Sequence, residues 1–171
     1  MEYKKLSEQE TVDQHWMREA LVEARKGRAL DEVPVGAVVV NNGEIIGRGF
    51  NQPISGCNPV AHAEVLALQE AAAALNNYRL VDCELYVTLE PCTMCAGAII
   101  HSRVKRVVFG AYEPKAGALV SQGRTLELPY MNYKVVMSEG VLEQECSEMI
   151  SGFFRDRRAA KKAAKQSLKC C

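Results

Sequence analysis

The feature that most constrains the fold is a strand, a short helix and a second strand in direct succession over residues 85–111. Residues 85–89 (LYVTL) are apolar and lead into Pro91, residues 92–102 (CTMCAGAIIHS) suit a compact helix, and residues 104–111 form a β-branched run. Strands joined by a helix of this length lie parallel and are connected by a right-handed crossover. We therefore expect a largely parallel sheet with helices on both faces.

A helix and a hairpin are predicted ahead of this unit. Residues 11–26 repeat apolar side chains at helical spacing, and Gly27 is expected to end that helix. Residues 33–40 and 45–50 are apolar runs separated by Asn-Asn-Gly at 41–43, which accepts positive φ. These two runs predict an antiparallel pair at one edge of the sheet.

The second helix is predicted to open at Asn58 and Pro59, because Asn caps free amides and proline suits the first helical turn. The rest of the pattern is a helix to about residue 75, an irregular stretch over 112–133, a weak strand over 134–138, and a final helix from 141 to about 165. The predicted fold is α/β, a three-layer α/β/α sandwich around a five-stranded mixed sheet.

Length and composition predict a single domain over residues 1–171. The chain is 48% hydrophobic and 25% charged, with no internal repeat and no low-complexity linker. No run approaches the roughly 18 apolar residues of a membrane helix, and the polar start lacks the apolar core of a signal peptide. We therefore expect a cytoplasmic protein with no membrane partner.

The formal net charge of zero hides an asymmetry. Residues 153–171 hold seven basic residues against Asp156 alone, so this basic C-terminal tail carries +6 and the preceding 152 residues carry −6. Clustered Lys and Arg neutralise phosphates, which makes the tail a candidate surface for nucleic acid. The alternative is a solvated, lysine-rich helix end.

Seven cysteines form an odd set, which argues against a disulfide framework and for reduced thiols, some of them on a metal. Cys170 and Cys171 lack the CaaX form of a lipidation signal and are expected to be a frayed terminus.

Two short motifs carry the candidate chemistry. His62 and Glu64 lie in AHAE, and Cys92 and Cys95 lie in PCTMC, each at a predicted helix start. Zinc prefers thiolates and imidazole in a tetrahedron, and the amides of a helix start favour the thiolate. A structural zinc site has four protein ligands, whereas a catalytic site has three and leaves a position for water.

A fourth protein ligand for the metal would have to come from the remaining His and Cys residues. His101 lies about 240° round the helix from Cys95 and should face away. Cys57, in the loop before His62, could reach the metal, whereas Cys83 and Cys146 suit small apolar positions in a strand and a helix.

Glu64 separates a structural zinc site from a catalytic one. A carboxylate two residues from a ligand His can take a proton from water and pass it to a leaving group. The alternative, a solvated surface Glu, is disfavoured because the flanking residues are apolar and an unpaired buried carboxylate is costly.

The HxE and PCxxC motifs together resemble the zinc nucleoside and nucleobase deaminase signature. The runs YVTLEPCTMCAGAIIHSRVKRVVFGA and EVPVGAVVV, the stretch ending at Asn51, and FFR at 153–155 are similar to the bacterial tRNA-specific adenosine deaminases. The resemblance covers about residues 12–158 and implies a cytidine-deaminase-like fold.

The resemblance implies an activity and a site. That family converts the wobble adenosine (position 34) of a tRNA anticodon loop to inosine, as a homodimer with one Zn²⁺ per subunit, here on an arginine tRNA. His62, Cys92 and Cys95 would hold zinc. Hydroxide generated at the zinc would attack C6 of adenine, and Glu64 would shuttle the protons to N1 and to the departing ammonia.

Substrate contacts are implied at Asn51, Glu113, Phe153 and Arg157. Asn51 resembles a base-contacting Asn of the family, with a turn residue as the alternative. Phe153 and Arg157 in the basic tail would offer stacking and phosphate contacts to a splayed loop base, unless the phenylalanine is a core residue.

The chain departs from the family pattern in one loop. Glu113 stands where the family usually has Asp, and ALVSQG at 118–123 lacks the usual Gly-Ser. The longer carboxylate is expected to alter sugar contacts or sequence context, leaving the zinc chemistry unchanged.

Two other functions fit the motifs less fully. A deaminase of free guanine or cytosine, or of a nucleoside, shares HxE and PCxxC but has no need of a +6 tail. An inactive, zinc-stapled RNA-binding module has no need of Glu64.

Overall fold

The computed structural model describes residues 7–167. Its elements in chain order are α1 (Glu8–Ala29), β1 (Gly36–Asn41), β2 (Glu44–Phe50), α2 (Ala63–Ala74), β3 (Cys83–Leu89), α3 (Thr93–Ser102), β4 (Arg106–Ala111), a 3-10 turn (Thr125–Glu127), β5 (Val136–Ser138) and α4 (Glu143–Ser167). Cys170 and Cys171, with the end of the basic tail, lie outside the described residues. No helix within 7–167 has the length and apolar character needed to span a bilayer.

The five strands form one mixed sheet in the order β2-β1-β3-β4-β5. The β3–β4 pair is parallel, as the strand-helix-strand pattern predicts, and the β4–β5 pair is parallel as well. The hairpin of β1 and β2 is confirmed, with Asn42 and Gly43 at φ 50° and 77° in its turn.

The expectation of a single antiparallel edge is wrong, because β1 also pairs antiparallel with β3. The helix α2 packs on β2 and β1 and returns the chain to β3 on the far side of β1. The strands β2 and β3 therefore run parallel with β1 inserted between them, a placement that local sequence does not specify.

The predicted three layers are confirmed by an apolar core on each face of the sheet. One core joins α2 and α3 to the sheet through side chains such as Leu68, Ile99 and Phe109. The other joins α1 and α4 to the opposite face through Met17, Leu21 and Cys146 and related residues.

Gly27 does not end α1, which continues to Ala29. A Cβ at Gly27 would lie 3.4 Å from the ring of Phe50, an ordinary van der Waals contact, so this position lies within the helix against β2. The helix ends instead where Asp31 adopts φ 59°, and the amide of Glu32 donates back to the Gly27 carbonyl.

The predicted start of α2 at Asn58 is also wrong, because the helix begins at Ala63 with His62 as its N-cap. Asn58 uses its side-chain oxygen within a local turn, accepting from the amide of Val60 at 3.1 Å. The first helical amide, that of Ala63, donates instead to Oδ1 of Asn51 at 3.0 Å. A residue at the end of β2 thus supplies the cap and places His62 at the helix start.

Candidate active site

The site lies where the first turns of α2 and α3 meet. His62 and Cys92 are the N-cap residues of the two helices, and Cys95 lies in the first turn of α3. His62 Nδ1 is 3.7 Å from Cys92 Sγ and 3.5 Å from Cys95 Sγ. Within the described part of the chain, this is the one group of three or more His, Cys, Asp or Glu side chains spaced to hold a metal ion, with ligand atoms within 4.8 Å of one another.

The donor set and its spacing fit zinc. Tetrahedral zinc, with bonds of about 2.3 Å to sulfur and about 2.0 Å to nitrogen, holds those two ligand atoms about 3.6 Å apart. Both sulfur-to-nitrogen distances agree with that value. Two thiolates and one imidazole form a borderline-soft set that zinc prefers over magnesium or calcium.

The two thiols differ in their ionisation. Hydrogen bonds from Cys95 and His62 lower the pKa of the Cys92 thiol to about 3. The pKa of Cys95 is raised, because it donates to Cys92 and is buried. The hydrogen bond to Cys92 raises the pKa of His62. The hydrogen bonds of this group therefore favour the thiolate form of Cys92, which is the form that binds a metal.

Glu64 is buried beside these ligands in the first turn of α2, with 4% of its surface exposed. Burial raises the pKa of its carboxyl group. It lines a cavity of about 270 Å³ together with His62, Cys92, Asn51 and Glu113. An ionisable group with a raised pKa at the wall of a cavity is suited to accepting and returning a proton.

The structure separates the other sequence candidates. Cys57 is exposed and outside the metal-binding group, so it is no fourth ligand. His101 is exposed on α3, as its helical phase predicts. Cys83 and Cys146 are fully buried in the two cores, and all five cysteines within residues 7–167 are free thiols.

The two phenylalanines of α4 face different environments. Phe153 is 4% exposed and packs inside, so it offers no open face to a base, whereas Phe154 is 41% exposed. The Arg157 guanidinium lies 5.5 Å from the Phe153 ring centroid and 3.9 Å from the Asp31 carboxylate. Asp31 is two residues along the chain from Val33, which lines the cavity.

Two buried carboxylates that sequence reasoning missed hold the loops around the cavity. Glu32, 1% exposed, accepts the amides of Ile54 and Ser55 through Oε1 at 2.9 and 2.6 Å. Glu90 accepts amides from the loop after β4. Burial opposes its ionisation, but the hydrogen bonds from that loop outweigh burial and lower its pKa. The available signal was an acidic residue in an apolar run, between Leu89 and Pro91.

This arrangement corresponds to a known class. Residues 10–111 match the family described as the cytidine and deoxycytidylate deaminase zinc-binding region. The fold and the His/Cys/Cys group agree with that class, and the chain belongs to this family of zinc-binding deaminases.

More similar relatives narrow the family. The tRNA-specific adenosine deaminase of Haemophilus influenzae is 51% identical over 158 residues, covering 92% of this chain and 91% of that protein. The enzyme of the same name from Bacillus subtilis is 48% identical, covering 92% of this chain and 98% of that protein. Within the zinc-binding deaminases, the chain therefore falls among the tRNA-specific adenosine deaminases.

Solved structures of zinc-binding deaminases superimpose on this chain. A protein from a study of A-to-I editing by tRNA adenosine-34 deaminases at the wobble position superimposes with a TM-score of 0.77 at 43% identity, covering 79% of this chain and 98% of that one. The guanine deaminase of Nitrosomonas europaea superimposes with a TM-score of 0.71 at 25% identity, covering 90% and 96%.

Proposed function

We propose that this chain, as one deaminase domain, hydrolytically deaminates adenosine to inosine at wobble position 34 of a tRNA anticodon loop. The observation that carries the proposal is the buried Glu64 beside the His62, Cys92 and Cys95 group, at the wall of a cavity that a base can enter. The relatives at 41–51% identity that bear the name tRNA-specific adenosine deaminase support the substrate.

His62, Cys92 and Cys95 would hold one Zn²⁺ per subunit. The chemistry that zinc supplies when bound is Lewis-acid activation of water near neutral pH. Three protein ligands are the number found in catalytic zinc sites, and burial of Cys95 keeps one side of the group dry.

Glu64 moves the protons of the reaction. It accepts a proton from the water whose oxygen bonds to C6 of adenine, and donates it to N1. It then transfers the second proton to the exocyclic amine, the C6–N bond breaks, and ammonia leaves. Adenosine and water are consumed, and inosine and ammonia are formed.

Asn51 and Glu113 are the proposed substrate contacts in the cavity. Oδ1 of Asn51 already accepts the Ala63 amide, so the Nδ2 group is the donor that can reach a base. Glu113 lies on the opposite loop, with Oε1 accepting the Lys115 amide at 2.9 Å. Its second oxygen can accept from a ribose hydroxyl.

The basic half of α4 is the proposed RNA surface. Arg157 would contact phosphate and the exposed Phe154 would stack on a base, while the buried Phe153 packs the helix against the fold. A homodimer, an arginine tRNA as substrate and a cytoplasmic location complete the proposal. They are supported by the family resemblance alone.

The activity is tested by incubating the zinc-loaded protein with anticodon stem-loop RNA and, separately, with free guanine and cytosine. We expect inosine only at the wobble adenosine, read by sequencing, with equimolar ammonia. Ammonia released from the free bases alone would contradict this proposal and indicate a free-base deaminase. The identities point the other way, at 25% to a guanine deaminase and 51% to a tRNA-specific adenosine deaminase.

A further inference from the structure

Glu90 is a buried carboxylate that the proposed chemistry does not use. It follows the last residue of β3 and precedes Cys92 by two positions, and only 2% of its surface is exposed. It lies outside the His62, Cys92 and Cys95 group. Its side chain is directed instead at the loop of residues 113–121.

Both oxygens of Glu90 are occupied by that loop. Oε1 accepts three successive backbone amides, those of Leu119, Val120 and Ser121, at 3.1, 2.8 and 2.9 Å. Oε2 accepts the Glu113 amide at 3.1 Å and the Ser121 hydroxyl. Five donors on one carboxylate form a closed local network.

The loop is shaped around the carboxylate. A Cβ added at Gly117 would lie 2.3 Å from the Glu90 carboxyl carbon, so only glycine permits this approach. The Ala118 amide donates to the Pro91 carbonyl at 2.9 Å, and Gly117 forms a β-bridge with Cys92. These contacts tie the loop to the residue that leads into α3.

The same loop forms one wall of the cavity. Glu113 and Ala116 line it opposite Asn51 and His62. The position of Glu113 relative to Glu64 therefore depends on where the Glu113 backbone is held, and Oε2 of Glu90 holds that backbone.

We propose that Glu90 is a positioning residue for the nucleotide, fixing the 113–121 loop so that Glu113 meets the substrate. It acts on substrate binding rather than on proton transfer. The inference rests on the proposed function, because it takes the cavity as the nucleotide site.

Glu90→Gln tests one bond of the network. The glutamine carbonyl replaces Oε1 and keeps three amides, and its NH₂ group replaces Oε2 and faces the Glu113 amide, donor against donor. The Ser121 hydroxyl can turn and accept. Only the Glu113 backbone loses its partner.

We expect Glu90→Gln to raise KM for anticodon stem-loop RNA about tenfold, with kcat within about twofold and zinc content unchanged. Amide hydrogen exchange should accelerate about tenfold at Glu113 and stay slow at Leu119 and Val120. The matched control is Glu23→Gln, a buried carboxylate that pairs with Lys26 and Arg48 on α1 and β2, which should leave KM unchanged.

The outcomes separate the two claims. Absence of inosine with the wild-type protein would refute the proposed function, and exchange at Glu113 would then decide alone whether Glu90 positions the loop. An active wild type with unchanged KM in Glu90→Gln, or a loss in kcat alone, would overturn this inference. If Glu90→Gln does not fold, Gly117→Ala takes its place, because its Cβ would lie 2.3 Å from the Glu90 carboxyl carbon and force that group away from the loop, and an unchanged KM in that variant would overturn the inference as well.

Discussion

Glu64 and the metal-binding side chains show how much of the chemistry depends on the surroundings of single residues. A glutamate in the first turn of an exposed helix is unremarkable, but Glu64 is 4% exposed and lies beside two thiols and an imidazole. Burial raises its pKa, which suits a group that must accept a proton and then release it. The burial of Glu64, and not its residue type alone, therefore suits it to the proposed proton transfer.

The first prediction concerns this residue. Glu64→Gln should lower inosine formation at least about 100-fold, since it removes the proton acceptor. The free energy of unfolding should stay the same or increase, because a buried carboxylate is replaced by a neutral group of the same shape. Stem-loop assays and urea unfolding measure the two effects. Glu70→Gln, on the exposed face of the same helix, is the control, and unchanged activity in Glu64→Gln would contradict the mechanism.

At the scale of elements, the helices approach the sheet closely where strand residues lack side chains. A Cβ at Gly36 on β1 would lie 2.1 Å from the Ala20 carbonyl oxygen of α1, and a Cβ at Gly49 on β2 would lie 2.2 Å from the Ala63 carbonyl oxygen of α2. The second contact places the first turn of α2, with His62 and Glu64, against the end of β2. Close packing thus sets the position of one half of the site.

The second prediction tests this packing. Gly36→Ala should destabilise the fold by about 3 kcal/mol, because backbone atoms of α1 cannot move aside as a flexible side chain can. Gly97→Ala is the matched control, since a Cβ there meets nothing within 4 Å and alanine favours the helix α3 by up to about 1 kcal/mol. Equal unfolding free energies for the two variants would show that the approach of α1 is not tight.

A buried ion pair ties α1 to β4 on the far side of the sheet. Arg106 donates to both oxygens of Asp13, at 2.8 and 2.6 Å, and Tyr86 donates to the same carboxylate at 3.0 Å. Burial opposes ionisation of Asp13, but these hydrogen bonds outweigh it and lower the pKa. Glu84 accepts from Arg106 at 3.1 Å at the edge of the cluster.

The third prediction follows from the sign of that shift. A lowered folded pKa contributes stability above the ordinary value of about 3.8, and the contribution is lost as the pH falls through the folded pKa. Asp13→Asn should therefore cost about 3 kcal/mol at pH 7 and flatten the acid decline in stability. Urea unfolding from pH 7 to pH 3 measures both. Glu84→Gln, at the half-buried edge of the cluster, should cost less, about 1 kcal/mol.

At the scale of the whole molecule, a net charge of zero is divided into two regions. The basic tail carries +6 and the rest of the chain −6. The fold places the start of that tail beside the C-terminal end of α1, where Arg28 pairs with Asp156 at 2.6 Å and Arg157 approaches Asp31. The first basic residues of the tail are therefore held at that end of α1, on a molecule whose remainder is acidic.

The fourth prediction uses that distribution. Reversal of Arg157 and Arg158 to Glu should weaken tRNA binding and reduce its salt slope by about 2, since each phosphate contact contributes nearly one unit. The control reverses Arg79 and Lys105, which are exposed at the opposite end of the sheet, ahead of β3 and β4. Binding that is unchanged across a salt series in the first variant would show that the RNA lies elsewhere.

Local sequence patterns predicted the helices and strands well, but they failed at helix ends whose position depends on residues distant in the sequence. The strand-helix-strand unit and the hairpin turn were confirmed, because their signals lie within a few residues. Gly27 and Asn58 carried equally good local signals for a helix end and a helix start. Both predictions were wrong: α1 continues to Ala29 and ends where Asp31 adopts a positive φ, and Asn51 caps α2 in place of Asn58.

The sequence by itself determined the candidate metal ligands and the proposed proton acceptor, since HxE and PCxxC place each pair within one turn of a helix. The tertiary structure decided that His62 lies 3.5 Å from Cys95, that Phe153 is buried and Phe154 exposed, and that Glu90 holds the loop bearing Glu113. The physical reason is distance along the chain. Spacing within a helix follows from local geometry, whereas contacts across 23 and 33 residues exist only once the sheet and both cores have formed.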